Sequence, residues 1–346
     1  VFCPYVISYA SVVSSLNLGK PVLSPTIDFR RNERFNTEGL FRMLEHYGYS
    51  MTEIRRAYRS AMKAHLSFQR DRFIRGKEIV DSVSESGKPA IVFFGRPYNL
   101  YDNRINLNLP ERFRSFGFEV LPYDFFIDPD DTAQVHHMYW NFGEAILKIA
   151  RTIRDIENIY PVYFTNFTCG PDSFILSRFE KIMAGKPYLI IELDEHGAET
   201  GYVTRIEAFA DIVNEQKSRQ FLKTPFRENF EAKWRSRERK LWIPAMHEIT
   251  ARLFAAGFRA WGYESEDLPV ETKADFEFGK SRVRGGECLP AITTIGTFIR
   301  RLREIGAKPE EHALFMPTAE GPCRFGQYSV LHRSILDSEG FHDTAI

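Results

Sequence analysis

The alternation of short apolar runs with helix-periodic segments between residues 88 and 191 constrains the fold more than any other feature. Each run is almost continuously apolar, as expected of a strand that is buried on both faces of a sheet. Strands are predicted at 88–94, 118–123, 160–164 and 186–191, with helices starting near Leu109, at Asn141 and at Asp172 or Ser173. This alternation predicts a parallel, doubly wound α/β sheet whose functional loops follow the carboxyl ends of the strands.

The regions on either side of this sheet have different patterns. Residues 37–86 are polar, with apolar positions recurring at helical spacing, and predict a connector of two or three helices. Residues 214–240 are rich in charge, and we place a boundary there. After it, a strand at 241–244, a helix ending at Gly257 and a strand near 258–261 predict a further α/β unit.

Charge and hydropathy exclude several classes of protein. Lysine plus arginine equals aspartate plus glutamate at 46 each, so no net field draws the chain toward nucleic acid or an anionic membrane. No apolar run approaches the roughly 20 residues of a membrane helix, and no leader opens the sequence. We expect a cytoplasmic protein that recognises its partners through local sites.

The apolar start at Val1 and the end at Ile346 without a polar tail predict that both ends are cuts through a longer chain.

The four cysteines are too few for a fold held together by disulfides, so their neighbours are informative. Cys169, Cys288 and Cys323 each have glycine or proline beside them just before a predicted helix. A helix N-terminus favours thiolate over thiol, and small neighbours let the backbone approach a bulky group. Thiolates presented in this way suit an iron–sulfur cluster, and together with Cys3 these residues are the candidate metal ligands.

Three other interpretations of the cysteines remain open at this stage. Each could be a small buried hydrophobic residue. Structural zinc sites usually contain a close C-x-x-C pair, and the sequence has none. A catalytic cysteine would need a histidine base, and no histidine is adjacent to a cysteine in the sequence.

A second candidate site follows the first predicted strand. Arg96, Asn99 and Asp102 lie at the edge where a doubly wound sheet binds ligands, so they are predicted to contact a phosphate, a CoA group or the surroundings of the cluster. The alternative is an arginine that only pins the loop. No glycine-rich phosphate-binding motif occurs, so we do not expect this segment to bind a nucleotide.

Five local sequences are distinctive: GRPYN at 95–99, TCGPD at 168–172, TGYVTRIEAF at 200–209, GECLPA at 286–291 and FMPTAEGPC at 315–323. With them the chain resembles the 2-hydroxyacyl-CoA dehydratase (2-hydroxyglutaryl-CoA dehydratase) superfamily. Within it, the chain is most similar to the large activase-related (CoA enzyme activase) proteins and to the double-cubane cluster proteins. The resemblance covers nearly the whole chain.

The resemblance implies modules of two flavodoxin-like α/β lobes that hold a 4Fe-4S or double-cubane cluster through three cysteines. On that template Cys3 and Cys169 are the last two ligands of one module, whereas Cys288 and Cys323 are the first two of the next. Residues 1–86 would be the end of a first α/β lobe plus the helical connector, 87–235 the second lobe of module one, and 236–346 the first lobe of a second, truncated module.

The function implied by the resemblance is that of an oxygen-sensitive, anaerobic iron–sulfur component. It would act in a dehydratase-like lyase or in an ATP-dependent reductase, taking a low-potential electron from an ATP-hydrolysing activase domain or subunit, with an acyl-CoA as substrate. A noncatalytic electron relay or scaffold that binds an activase remains an alternative, as does a cluster-free ligand-binding protein. Whether the assembly is a homodimer or a heterodimer is also open.

Overall fold

The computed structural model describes residues 4–167, 169–194, 199–216 and 238–346. The described residues divide into two compact units. The smaller unit contains the residues up to Ser86 together with 123–132, and the larger contains 87–122 and the residues from Ala133 onward.

The smaller unit consists of helices α1 (Pro4–Ser15), α2 (Glu33–Leu44) and α3 (Met51–Ser86), with 3-10 turns at Glu45–Tyr47 and Tyr123–Phe126. The Asn32 side chain caps α2 by accepting a hydrogen bond from the Phe35 backbone. Arg72 on α3 forms a half-buried ion pair with Asp124, with a nitrogen–oxygen distance of 2.7 Å. These helices confirm the helical connector predicted from the polar, helix-periodic sequence.

The larger unit contains a parallel sheet of strands β1 (Ala90–Gly95), β2 (Glu119–Pro122), β3 (Ile159–Asn166) and β4 (Leu189–Leu193). Its strand order is β2-β1-β3-β4. Every residue of β1 is buried, which explains why its sequence is uniformly apolar. The order and the parallel pairing confirm the predicted doubly wound, flavodoxin-like α/β sheet.

Five helices follow or cover these strands in the described sequence. The helix α6 (Asn141–Arg154) buries one apolar face, including Ile146, Leu147, Ala150 and Ile153. This spacing is the one that predicted the helix. The five helices are α4 (Pro97–Tyr101), α5 (Leu109–Ser115), α6 (Asn141–Arg154), α7 (Gly170–Ile182) and α8 (Glu199–Gln216).

A second parallel sheet lies in the carboxyl-terminal part of the larger unit. It contains β5 (Lys240–Ile243), β6 (Ser265–Asp267) and β7 (His312–Leu314) in the order β6-β5-β7. Its helices are α9 (Glu248–Ala260), α10 (Lys273–Lys280), α11 (Leu289–Glu304) and α12 (Tyr328–Ser338). α10 and α11 approach so closely that a Cβ on Gly279 or Gly296 would overlap the backbone of the other helix. None of the helices described is both long and apolar enough to cross a bilayer.

Two local predictions were wrong. The strand expected near 258–261 is the end of α9, which continues through Gly257 and stops before Gly262, where φ is +85°. The strand itself comes later, as β6. The helix expected to be capped by Asp172 or Ser173 begins at Gly170 instead, because Pro171 fits a first helical turn and Cys169 occupies the N-cap.

Candidate functional site

The three described cysteines occupy the same local position. Cys169 is the N-cap of α7, Cys288 is the N-cap of α11, and Cys323 is the N-cap of the 3-10 turn Arg324–Gln327 that leads into α12. All three have extended backbone angles, with φ between −61° and −71°. Each thiol is therefore carried by a chain segment that turns into a helix, with free backbone N–H groups close by.

These three helix starts meet in the larger unit, and Arg324 joins them. Its Nη1 donates to the Ser173 hydroxyl on α7 at 3.2 Å and to the Gly286 carbonyl before Cys288 at 2.8 Å. A Cβ on Gly170 would lie 3.3 Å from the Arg324 side chain. A Cβ on Gly286 would lie 3.1 Å from that of Ser173. The glycines beside the cysteines thus mark close approaches between chain segments.

A carboxylate within the loop that precedes Cys288 stabilises the conformation of that loop. Glu287 is buried and accepts hydrogen bonds from the backbone N–H groups of Arg284, at 3.2 Å, and Gly285, at 2.9 Å. Gly285 has φ of +104°, a conformation that favours glycine. The GGEC sequence therefore encodes a tight turn that delivers Cys288 to the start of α11.

Aromatic residues surround the Cys323 loop. Tyr139 donates through its hydroxyl to the Cys323 carbonyl at 3.2 Å, and Trp140 Nε1 donates to the Gly321 carbonyl at 3.0 Å. A Cβ on Gly326 would overlap the Ala319 carbonyl and the Tyr139 hydroxyl. Sequence reasoning did not identify these two aromatics. Their only signal was their position at the predicted start of a helix.

Tyr328 lies between two of the cysteines. Its ring stacks on Phe174, with centroids 5.9 Å apart. Burial raises the pKa of Tyr328 well above its usual value, and the Cys288 thiol, hydrogen-bonded to its hydroxyl, and the nearby Cys323 add to the rise. The tyrosine is therefore a protonated donor at neutral pH. Neither Tyr328 nor Arg324 was predicted as a site residue, because their partners lie on distant parts of the sequence.

Cys169 sits beside a buried network of charge. Burial and the Asp172 carboxylate raise the pKa of the Cys169 thiol to about 12, although the Asp172 backbone N–H and Arg96 act in the opposite direction. Asp172 is 1% exposed and accepts hydrogen bonds from Arg96 at 2.9 Å, Tyr163 at 3.1 Å and Thr165 at 2.7 Å. Burial alone would lower the pKa of Arg96, but the nearby Asp172 raises it above its usual value. The Arg96 guanidinium therefore stays charged throughout the ordinary pH range.

The residues predicted after the first strand have different surroundings. Arg96 reaches Asp172, three residues from Cys169. Asn99 is fully buried and donates to the Asn166 side chain at 2.8 Å. Asp102 is exposed and accepts from the backbone of Arg104 at 2.9 Å, which closes a turn. Arg96 and Asn99 therefore lie at the carboxyl edge of the sheet as expected, and a substrate-binding role for all three stays a prediction.

The structure brings the helix start at Cys169 beside those at Cys288 and Cys323, whereas Cys3 falls outside the described residues. Which of the cysteines share a cluster stays a prediction. Over residues 4–167, 169–194, 199–216 and 238–346, no three His, Cys, Asp or Glu side chains converge on one metal ion. The thiolates of an iron–sulfur cluster bind different irons, so they need not converge on a single point.

Comparison with known proteins gives one match. Residues 1–126 match the family described as CoA enzyme activase uncharacterised domain (DUF2229). The match covers 126 of the 346 residues, and this segment is similar to a domain of CoA enzyme activases. A search among curated proteins found no match, and a search among solved structures found none.

Proposed function

We propose that this chain is the iron–sulfur component of a 2-hydroxyacyl-CoA dehydratase-like or ATP-dependent reductase system, accepting a low-potential electron from an ATP-hydrolysing activase. The observation that carries the proposal is the meeting of three helix starts, each led by a cysteine: Cys169, Cys288 and Cys323. The match of residues 1–126 to a CoA enzyme activase domain supports the type of system.

The residues present suit a cluster in their chemistry. Thiolates are the usual protein ligands of iron–sulfur clusters, and the thiols here are only partly buried or exposed, so iron and sulfide can reach them. The high pKa of Cys169 means that its proton leaves only when a positive metal centre binds, so loading releases protons. When bound, the cluster would supply one-electron transfer at low potential.

The chain's own residues would orient and shield the site. The buried pair of Arg96 and Asp172 fixes the first turn of α7, and therefore the direction of Cys169. Tyr328 donates a hydrogen bond toward the Cys288 sulfur and would orient it. Phe174 stacks on Tyr328 and covers one side of the meeting point. Cys169, Cys288 and Cys323 would hold the cluster through their thiolates.

The first test is anaerobic purification of the full-length protein, followed by assays for iron and acid-labile sulfide. We expect a brown product, and a colourless, iron-free product would overturn the proposal. Serine substitutions at Cys169, Cys288 and Cys323 should each lower the iron content, while Cys3→Ser tells whether Cys3 binds the same cluster. Unchanged iron in all three single variants would also contradict the proposed site.

The second test separates the enzyme from an electron relay or scaffold. The loaded protein is mixed with an activase, ATP, a reductant and a panel of 2-hydroxyacyl-CoA thioesters, and the unsaturated products are measured. Dehydration of at least one thioester supports the lyase. Reduction of the cluster without turnover of any thioester identifies the relay instead.

A further inference from the structure

We propose that Arg324 is the positioning residue of the three-cysteine site: it ties the three helix starts together before any cluster is present and supplies the positive charge beside them. The effect of the Arg324 charge rests on the proposed cluster function. The tie, meaning the hydrogen bonds by which Arg324 holds the helix starts together, is a property of the cluster-free chain and can be tested separately.

The connectivity of Arg324 supports the tie. Its backbone follows Cys323 directly, so its side chain extends from the third cysteine segment. Its Nη1 contacts Ser173, in the first turn after Cys169, and Gly286, two residues before Cys288. One guanidinium therefore touches a neighbour of each of the other two cysteines.

The surroundings of the side chain require arginine rather than lysine. Gly170 leaves the space through which the Arg324 stem passes, since a Cβ there would be 3.3 Å from both Cδ and Nε. The guanidinium carbon lies 5.9 Å from the centroid of the Phe174 ring. A planar guanidinium holds several donors in a fixed arrangement, whereas a lysine ammonium is a compact point charge on a flexible stem.

The charge of Arg324 is not cancelled by its hydrogen-bond acceptors, which are a hydroxyl and a carbonyl. This differs from Arg284, which pairs with the carboxylate of Glu180 between α7 and the Cys288 loop. A positive charge close to the thiolates stabilises an added electron on a bound cluster and raises its reduction potential. Arg284 is therefore a matched control, since it links the same two elements with its charge neutralised.

The first experiment uses the reduced, cluster-free full chain with Cys3 replaced by serine. A short thiol-to-thiol crosslinker is added, and the linked peptides that join Cys288 to Cys323 are measured by mass spectrometry, because the high pKa of Cys169 makes its thiol slow to react. Because both hydrogen bonds of the guanidinium are lost or weakened, we expect Arg324→Met and Arg324→Lys to lower the crosslinked fraction at least about fivefold. Arg284→Met should change it less than about twofold. Unchanged crosslinking in both Arg324 variants would overturn the tie.

The second experiment measures the midpoint potential of the loaded protein by titration with electron paramagnetic resonance. Arg324→Met should lower the equilibrium constant for one-electron reduction about tenfold, which corresponds to about 59 mV. Arg324→Lys keeps the charge and should stay closer to the parent value, and Arg284→Met should not shift it. Equal potentials in all variants would overturn the charge effect. A parent protein that binds no iron would refute the proposed function and leave the crosslinking result to decide on the tie.

Discussion

Replacing Arg96 by methionine tests how the buried charge beside Cys169 is compensated. Arg96 and Asp172 form an ion pair whose side chains are 8% and 1% exposed. Without the guanidinium, the Asp172 carboxylate would be left with two neutral donors, Tyr163 and Thr165. Removing one partner of a buried pair typically costs about 3–5 kcal/mol, so we expect Arg96→Met to lower the free energy of unfolding by that amount.

The control for this prediction is an exposed ion pair. Arg252 and Glu248 on α9 are 64% and 54% exposed, and such pairs contribute about 0–1 kcal/mol. Both variants are compared by urea denaturation followed by circular dichroism, with hydrogen exchange of β3 peptides as the local measurement. A loss in Arg96→Met no larger than that in Arg252→Met would refute the reasoning.

A double variant tests whether removing the Asp172 charge stabilises or destabilises the fold when Arg96 is absent. In the parent protein Asp172→Asn should destabilise, because it removes the charge that compensates Arg96. In the Arg96→Met background the same change removes an unpaired buried charge, so it should stabilise by about 1 kcal/mol or more. If Asp172→Asn destabilises equally in both backgrounds, the two side chains are not energetically coupled.

Three further predictions concern single residues. His332 is fully buried and burial lowers its pKa to about 4, so the unfolded chain binds more protons between pH 4 and about 6.5. Stability should therefore fall by about 3 kcal/mol as the pH is lowered through that range, and urea midpoints of His332→Gln should lose this dependence. Gly326→Ala should destabilise by about 2 kcal/mol or more, since its Cβ would overlap the Ala319 carbonyl, whereas Gly257→Ala in open space on α9 should stabilise by about 0.5–1 kcal/mol; calorimetry compares the two. The cluster-free Cys169 thiol, with a pKa of about 12, should be alkylated at pH 8 at least about 100-fold more slowly than free cysteine, and equal rates by peptide mass spectrometry would contradict its burial.

The four strands of the first sheet could be predicted because each follows a short apolar run, and burial on both faces explains the uninterrupted runs of β1 and β3. The mistaken strand near 258–261 has an equally physical origin. Phe258 and Trp261 are aromatic residues that favour strands, but Ala251 and Ala255 bury the inner face of α9, and the helix continues through Phe258 to Ala260 with Trp261 as its C-cap. Tertiary packing outweighed local preference there.

The candidate site was only partly predictable for a similar reason. Glycine and proline beside Cys169, Cys288 and Cys323 signalled helix starts, which are local events. The roles of Arg324 and Tyr328 were not predictable, because their partners lie far away in the sequence and hydrogen-bond choice depends on which loops the sheets bring together.

The sequence by itself determined the type of each element and the chemistry available at its ends. Apolar runs, helical spacing and small residues act over a few positions, so the parallel α/β architecture and the thiols at helix N-termini follow from them. Only the tertiary structure decided that the helix start at Cys169 lies beside those at Cys288 and Cys323. It also decided that Arg324 hydrogen-bonds to the segments around the other two cysteines. The physical reason is that the meeting of distant loops depends on how whole sheets and helices pack, which no short stretch of sequence encodes.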